Sequence, residues 1–304
     1  MLDTESIERP FMWIMRLASL ILMITLFGFL SCKAKIDPDS SGAGISERTP
    51  NERMREGLRQ YTQRNYLMAI HEFEEAAKLD PNSAEAKNNV GMCNLMMAQS
   101  AKAEQAFNEA IKIQPASKFY VNLGSAMLQM NKTEAARDAF KKALAIDGEN
   151  HPALVQLGNV QFGLGEYAEA KKAWEAARKV REEPSVITNL GTLRLQAGDF
   201  NEAEKLFRDA LKLDPTYAVA HFNLGVIYQK QEKWDLARKS YETATQNNPD
   251  YYPAYYNLSL ADEALGKVPD AIKDLQQFLK VVPPSLQQQI ADARSKIESL
   301  KKKQ

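Results

Sequence analysis

"TNLGTLRLQAGDFNEAEKLFRDALKLDP", Thr188 to Pro215, reads as two helices joined by a turn. In its second half Ala203, Phe207, Ala210 and Leu211 fall at helical spacing and so share one buried stripe. Gly198-Asp199 marks the turn between the halves. Asp214-Pro215 ends the second helix, because proline cannot continue it. The first half is anchored on Gly191, and its face is clearest in the matching stretch further upstream, where Tyr120, Leu123, Gly124 and Met127 lie on one side.

Gly191 belongs to a series. Gly57, Gly91, Gly124, Gly158, Gly191 and Gly225, with Ser259 next in place, follow at intervals of 34, 33, 34, 33, 34 and 34 residues. Twelve residues after each marker stands an alanine: Ala69, Ala103, Ala136, Ala170, Ala203, Ala237 and Ala271. Sixteen after it stands a large apolar residue: Phe73, Phe107, Phe140, Trp174, Phe207, Tyr241 and Leu275. A period of this length means helix pairs that bury their apolar faces on one another. Glycine costs roughly 1 kcal/mol against alanine inside a helix. Its return at one place points to two helices in close approach, with the large side chain filling the space between them.

With Leu, Gly, Tyr, Ala, Phe, Ala and Pro at the corresponding places, the array resembles tetratricopeptide repeats over about Pro50 to Ser285. The match is closest around Gly158, Gly191 and Gly225. Departures are Glu56 for the usual Leu, Gly148 for the terminal Pro of the third unit, and Ser259 and Phe278 for small residues in the last. The resemblance implies an all-α fold, a right-handed superhelical solenoid of about seven helix-turn-helix repeats, at 50–83, 84–116, 117–150, 151–183, 184–217, 218–251 and 252–285. Residues 286–304 are expected to close it as a capping helix and basic tail. Ser285 can cap that helix, and its apolar stripe is Leu286, Ile290, Ala293, Ile297 and Leu300.

Ahead of the array lies an uncharged apolar segment, Leu17 to Leu30, preceded by Arg16 and followed by Ser31 and Cys32. Fourteen residues of helix reach about 21 Å, short of the roughly 30 Å hydrocarbon core but suited to the apolar region of an export signal. The working start is then Met12 or Met15, and residues 1–31 are read as signal peptide. "FLSC" resembles the lipobox of bacterial lipoproteins, with Phe29 where that family prefers Leu. The resemblance implies lipidation of the Cys32 sulfur after cleavage, as against an uncleaved anchor or ordinary signal cleavage. Residues 32–49, rich in Lys, Asp, Ser, Gly and Pro, read as a tether with a reach of roughly 20 to 25 Å. The expected place is the bacterial cell envelope, lipid-anchored, with the periplasmic face of the outer membrane favoured; Lys33 is not the aspartate that marks inner-membrane retention in some bacteria.

Two sets of residues are candidates for partner binding. Two before each marker stand Asn89, Asn122, Gln156, Asn189, Asn223 and Asn257, with Arg55 in the first unit. On a helical wheel this place lies opposite the packed face. An amide offers a donor and an acceptor together, enough to grip a peptide unit, and the ladder resembles the peptide-binding groove in the repeat region of O-linked N-acetylglucosamine transferases. The same amides could instead serve hydrogen bonds within or between repeats. The second set is apolar where solvent is expected: Phe222, Val226, Tyr256 and Leu260 toward the C-terminal end, and Met54, Leu58, Met92 and Met96 toward the start. Aromatic and methionine side chains suit docking of helical or extended segments, unless curvature or the capping helix covers them. Tyr255, in the place of Tyr120, is expected in the core. Lysine and asparagine do not fall where a clamp on a partner's C-terminal carboxylate needs them.

The chain has 304 residues, 44% hydrophobic and 26% charged, with 39 basic and 39 acidic side chains, so no net field points to nucleic acid. Two cysteines and three histidines, His71, His151 and His221, sit at unrelated repeat positions and supply no disulfide framework or metal cluster. Cys93 reads as a packed thiol, and the glycines are spaced as packing markers, not phosphate loops. The expectation is a non-enzymatic scaffold or adaptor without cofactor, binding protein partners and tethered to membrane through lipid. The other reading is a permanent structural subunit of an envelope assembly or secretion complex.

Overall fold

The computed structural model describes residues 48–302; the segment expected to be an export signal, Cys32 and nearly all of the expected tether lie outside them. The described residues hold fifteen helices. They form seven consecutive pairs: α1 (Pro50–Thr62) with α2 (Tyr66–Leu79), α3 (Ala84–Met96) with α4 (Ser100–Ile113), α5 (Ser117–Gln129) with α6 (Thr133–Ile146), and α7 (His151–Gly163) with α8 (Tyr167–Val180). Then follow α9 (Pro184–Gln196) with α10 (Phe200–Leu213), α11 (Ala218–Lys230) with α12 (Trp234–Asn247), α13 (Tyr252–Ala264) with α14 (Val268–Val281), and the single α15 (Gln287–Lys301). This is the all-α repeat architecture expected. The chain divides into two compact units, residues 48–173 and 174–302, with the division inside α8.

Five of the marker glycines are required by the partner sixteen residues on. A Cβ built on Gly191 would come within 2.6 Å of the Phe207 ring, and on Gly225 within 2.5 Å of the Tyr241 ring. Gly57, Gly91 and Gly124 meet Phe73, Phe107 and Phe140 in the same way. All these rings are buried. Ser259 escapes the rule because its partner is the smaller, flexible Leu275, and its hydroxyl bonds back to the Tyr256 carbonyl at 2.6 Å.

The inner turns share one backbone solution. Seven residues after every marker the chain turns through positive φ, at Arg64, Ala98, Asn131, Gly165, Gly198, Glu232 and Gly266. Glycine fits such a position freely, whereas an L side chain there costs roughly 1–2 kcal/mol. The turn is held by two backbone bonds that satisfy the helix end. At Ala98 they run from Ala98 N–H to the Leu95 carbonyl (3.0 Å) and from Gln99 N–H to the Asn94 carbonyl (2.8 Å).

The two ends of the array differ from their neighbours. α1 opens on a capping box: the Thr49 hydroxyl accepts from Glu52 N–H while the Glu52 carboxylate accepts from Thr49 N–H at 2.7 Å. At the other end the expected Ser285 cap does not form. The helix begins at Gln287, with Leu286 before it and no side-chain cap, because Pro283 and Pro284 carry the chain into a turn first. The stripe itself is as expected, with Ala293, Ile297 and Leu300 buried and Leu286 and Ile290 half-buried.

Candidate functional site

The first helix of each pair carries every candidate residue, so exposure along that helix locates the site. The asparagine ladder is not an open row. Asn89, Asn122 and Gln156 are half-buried, and Asn189, Asn223 and Asn257 are buried. Several members bond inward. Asn122 Nδ2 donates to Asn88 Oδ1 of the preceding repeat at 2.8 Å, and Asn88 Nδ2 reaches Asn89 Oδ1 at 3.4 Å. In residues 174–302 Asn257 is hydrogen-bonded to the Tyr241 hydroxyl, which also donates to Gln229 Oε1 at 2.6 Å. Burial drives the Tyr241 pKa well above its ordinary value. The ladder amides at 122 and 257 thus join one repeat to the next.

Phe222 and Val226 are not solvent-facing: they are 3% and 1% exposed. Phe222 is enclosed by aromatic rings, with Tyr241 at 5.5 Å and Tyr251 at 5.4 Å between centroids. Tyr256 is half-buried with its ring 5.5 Å from Phe278, and Leu260 is half-buried beside it in sequence register. Tyr255, expected in the core, is only half-buried; Asp250 and Asp274 act on its hydroxyl, and burial raises its pKa.

The apolar set near the start behaves differently. Leu58 and Met96 are each 44% exposed, and Met54 and Met92 are half-buried. The place five after the marker is exposed in all seven repeats: Thr62, Met96, Gln129, Gly163, Gln196, Lys230 and Ala264. Only the second repeat puts a large apolar residue there. Sequence reading placed the outward row two before the marker; the row five after it is the solvent-facing one, and Met96 is its outlier.

Chemistry-bearing groups elsewhere are packed or dispersed. Cys93 is buried and burial pushes its thiol up to about 12, so it is an inert core residue. His221 Nε2 lies 2.9 Å from the Pro215 carbonyl, and His151 is buried at the start of α7. Among the described residues no group of three or more His, Cys, Asp or Glu could hold a metal ion, and no helix is long and apolar enough to cross a membrane.

Family models described as tetratricopeptide repeat match residues 54–118, 97–151, 127–186, 194–261 and 253–285. Over 126 residues the chain is 30% identical to a probable UDP-N-acetylglucosamine–peptide N-acetylglucosaminyltransferase SPINDLY of Hordeum vulgare, covering 38% of this chain and 13% of that protein. The chain spans between 13% and 33% of the length of the curated relatives it matches. Among solved structures, a tetratricopeptide repeat protein from Parabacteroides merdae superposes with a TM-score of 0.65 at 15% identity, over 83% of this chain and 96% of that one. Pseudomonas aeruginosa pilF superposes with a TM-score of 0.58 at 20% identity, over 69% and 97%. At these identities the likeness is one of fold.

Proposed function

The chain belongs to the tetratricopeptide repeat family, and on that premise we propose that it is a protein-binding scaffold of the bacterial cell envelope, held at a membrane by a lipid on Cys32. Partner segments dock on the first-helix face of its N-terminal repeats. The observation that carries the docking face is the exposure of Leu58 and Met96, with Met54 and Met92 half-buried, on two successive first helices. Side chains of this kind gain by being covered, at about 25 cal/mol per Å² of apolar surface removed from water, and methionine adapts to the partner's shape. An amphipathic helix or an extended apolar segment meets that chemistry. Asn89, half-buried on the second of these helices, and Asn122, half-buried on the first helix of the next repeat, can add polar contacts at the rim. Catalysis has no part in this reading.

Two arms test it. A photo-crosslinking residue at Met96 or Leu58, in cells, is expected to trap one protein, while the same residue at Leu236, equally exposed on a second helix, traps none of it. Equal capture from Leu236 removes the docking face. For the anchor, Cys32→Ala is expected to abolish fatty-acid labelling and release the protein from membranes; labelling that persists in that variant rejects lipidation at Cys32.

A further inference from the structure

The last repeat carries charge where the middle ones carry packing. Fifteen residues after the marker the second to fifth repeats hold Ala106, Ala139, Ala173 and Leu206, and the seventh holds Asp274. Three after its marker stands Asp262, 1% exposed. Its Oδ1 accepts from Arg238 Nε at 2.6 Å, a bond from α12 to α13. Its Oδ2 is buried without a donor, and the Asp274 carboxyl of α14 lies within hydrogen-bond reach of Asp262. Two carboxylates at that range cannot both stay ionised, whereas one proton between them supplies the missing donor. We infer that the sixth and seventh repeats are fastened through Arg238, Asp262 and a proton held by Asp274, and that α13, α14 and α15 loosen when that proton leaves.

The groups facing Asp274 account for the direction. Asp270 shares its helix, Asp262 and Tyr255 come from α13, and Arg238 comes from α12, where Glu242 also holds its guanidinium at 3.2 Å. From α15, Lys296 is committed to Glu263 at 2.5 Å, and Asp292 acts on Tyr256. Burial, then the bond to Asp262, then the negative charges of Asp262 and Asp270 raise the Asp274 pKa to about 8, with Arg238 opposing. A carboxyl raised in the folded state contributes stability that is full below its ordinary value near 4 and is lost as pH climbs through about 8. The first repeat shows the alternative: Glu72, fifteen after Gly57, faces Arg53 at 3.0 Å and Arg48 at 3.5 Å, two cations instead of a second acid.

The test is hydrogen exchange of the full chain at about pH 6.5 and about pH 8.5, with rates corrected for intrinsic pH dependence. Peptides from α13 to α15 are expected to exchange about tenfold faster at the higher pH, with α1 to α4 unchanged. Asp274→Asn, whose amide donates the same bond without titrating, is expected to abolish the step, and Asp270→Asn to retain it. Corrected exchange that is independent of pH in the unmutated chain overturns the inference even where a variant fails to fold. So does a step that survives Asp274→Asn.

Discussion

The same repeat register gives opposite surfaces at the two ends of the chain. One after the marker, Leu58 of the first repeat is 44% exposed, whereas Val226 of the sixth is 1% exposed. Three before it, Met54 is half-buried and Phe222 is buried between two tyrosine rings. A repeat position therefore does not carry a fixed exposure; the side chains packed around it decide it. In residues 48–173 Leu58 stays exposed, while Met54 and Met92 pack only in part, against the clusters around Phe73 and Phe107. In residues 174–302 aromatic side chains close over the equivalent places, and the first helix becomes core on that side.

Truncation should separate the two ends sharply. Phe222→Ala removes a buried aromatic side chain and is expected to cost about 3–5 kcal/mol, measured by denaturant unfolding. Leu58→Ala on the exposed face is expected to cost about 0.5 kcal/mol or less. Comparable losses at the two positions would break the comparison, and would mean that the Leu58 face is also covered.

A smaller contrast tests the close helix approach. Gly225→Ala places a methyl group against the buried Tyr241 ring and is expected to destabilise by about 1–3 kcal/mol. Ser259→Ala, at the same place in the last repeat, keeps a Cβ that is already tolerated and loses only the bond to Tyr256, for about 1 kcal/mol or less. A Gly225→Ala protein as stable as the parent would show that Tyr241 yields, and that glycine is not needed there.

Much of the fold was legible because it repeats. A glycine that returns six times at one register, with a large apolar residue sixteen later, states a contact between two helices, and both members of the contact lie within one repeat. Exposure was less legible because it depends on side chains brought together from different helices, sometimes of different repeats. The enclosure of Phe222 needs Tyr241 and Tyr251, and the inward turn of Asn122 needs Asn88. A helical wheel drawn for one helix sees neither partner. The outward row five after the marker carries Thr, Met, Gln, Gly, Gln, Lys and Ala; with no common residue type it leaves no repeat signature. Two adjacent acids, Asp262 and Asp274, are twelve residues apart in sequence and are unremarkable there; only packing brings them together.

The finest difference between the ends lies in the inner turns. The first three repeats place Arg64, Ala98 and Asn131 at positive φ, while the later ones have glycine there at Gly165, Gly198 and Gly266, with Glu232 of the sixth as the exception. The side chain at Ala98 strains the backbone without compensating contact, and glycine there relieves roughly 1–2 kcal/mol. Glycine also gives the unfolded chain more freedom, which takes back roughly 0.4–1 kcal/mol. The net expectation for Ala98→Gly is a gain of about 0.5–1 kcal/mol, and for Gly198→Ala a loss of similar size, each read as a shift of the unfolding midpoint at unchanged slope. Since Ala98 lies two residues after Met96, the substitution also probes the docking face. If the strained turn only closes the helix pair, Ala98→Gly should raise stability and leave crosslinking from Met96 unchanged; a stabilised protein that loses capture would show that the strained turn holds Met96 in its binding orientation.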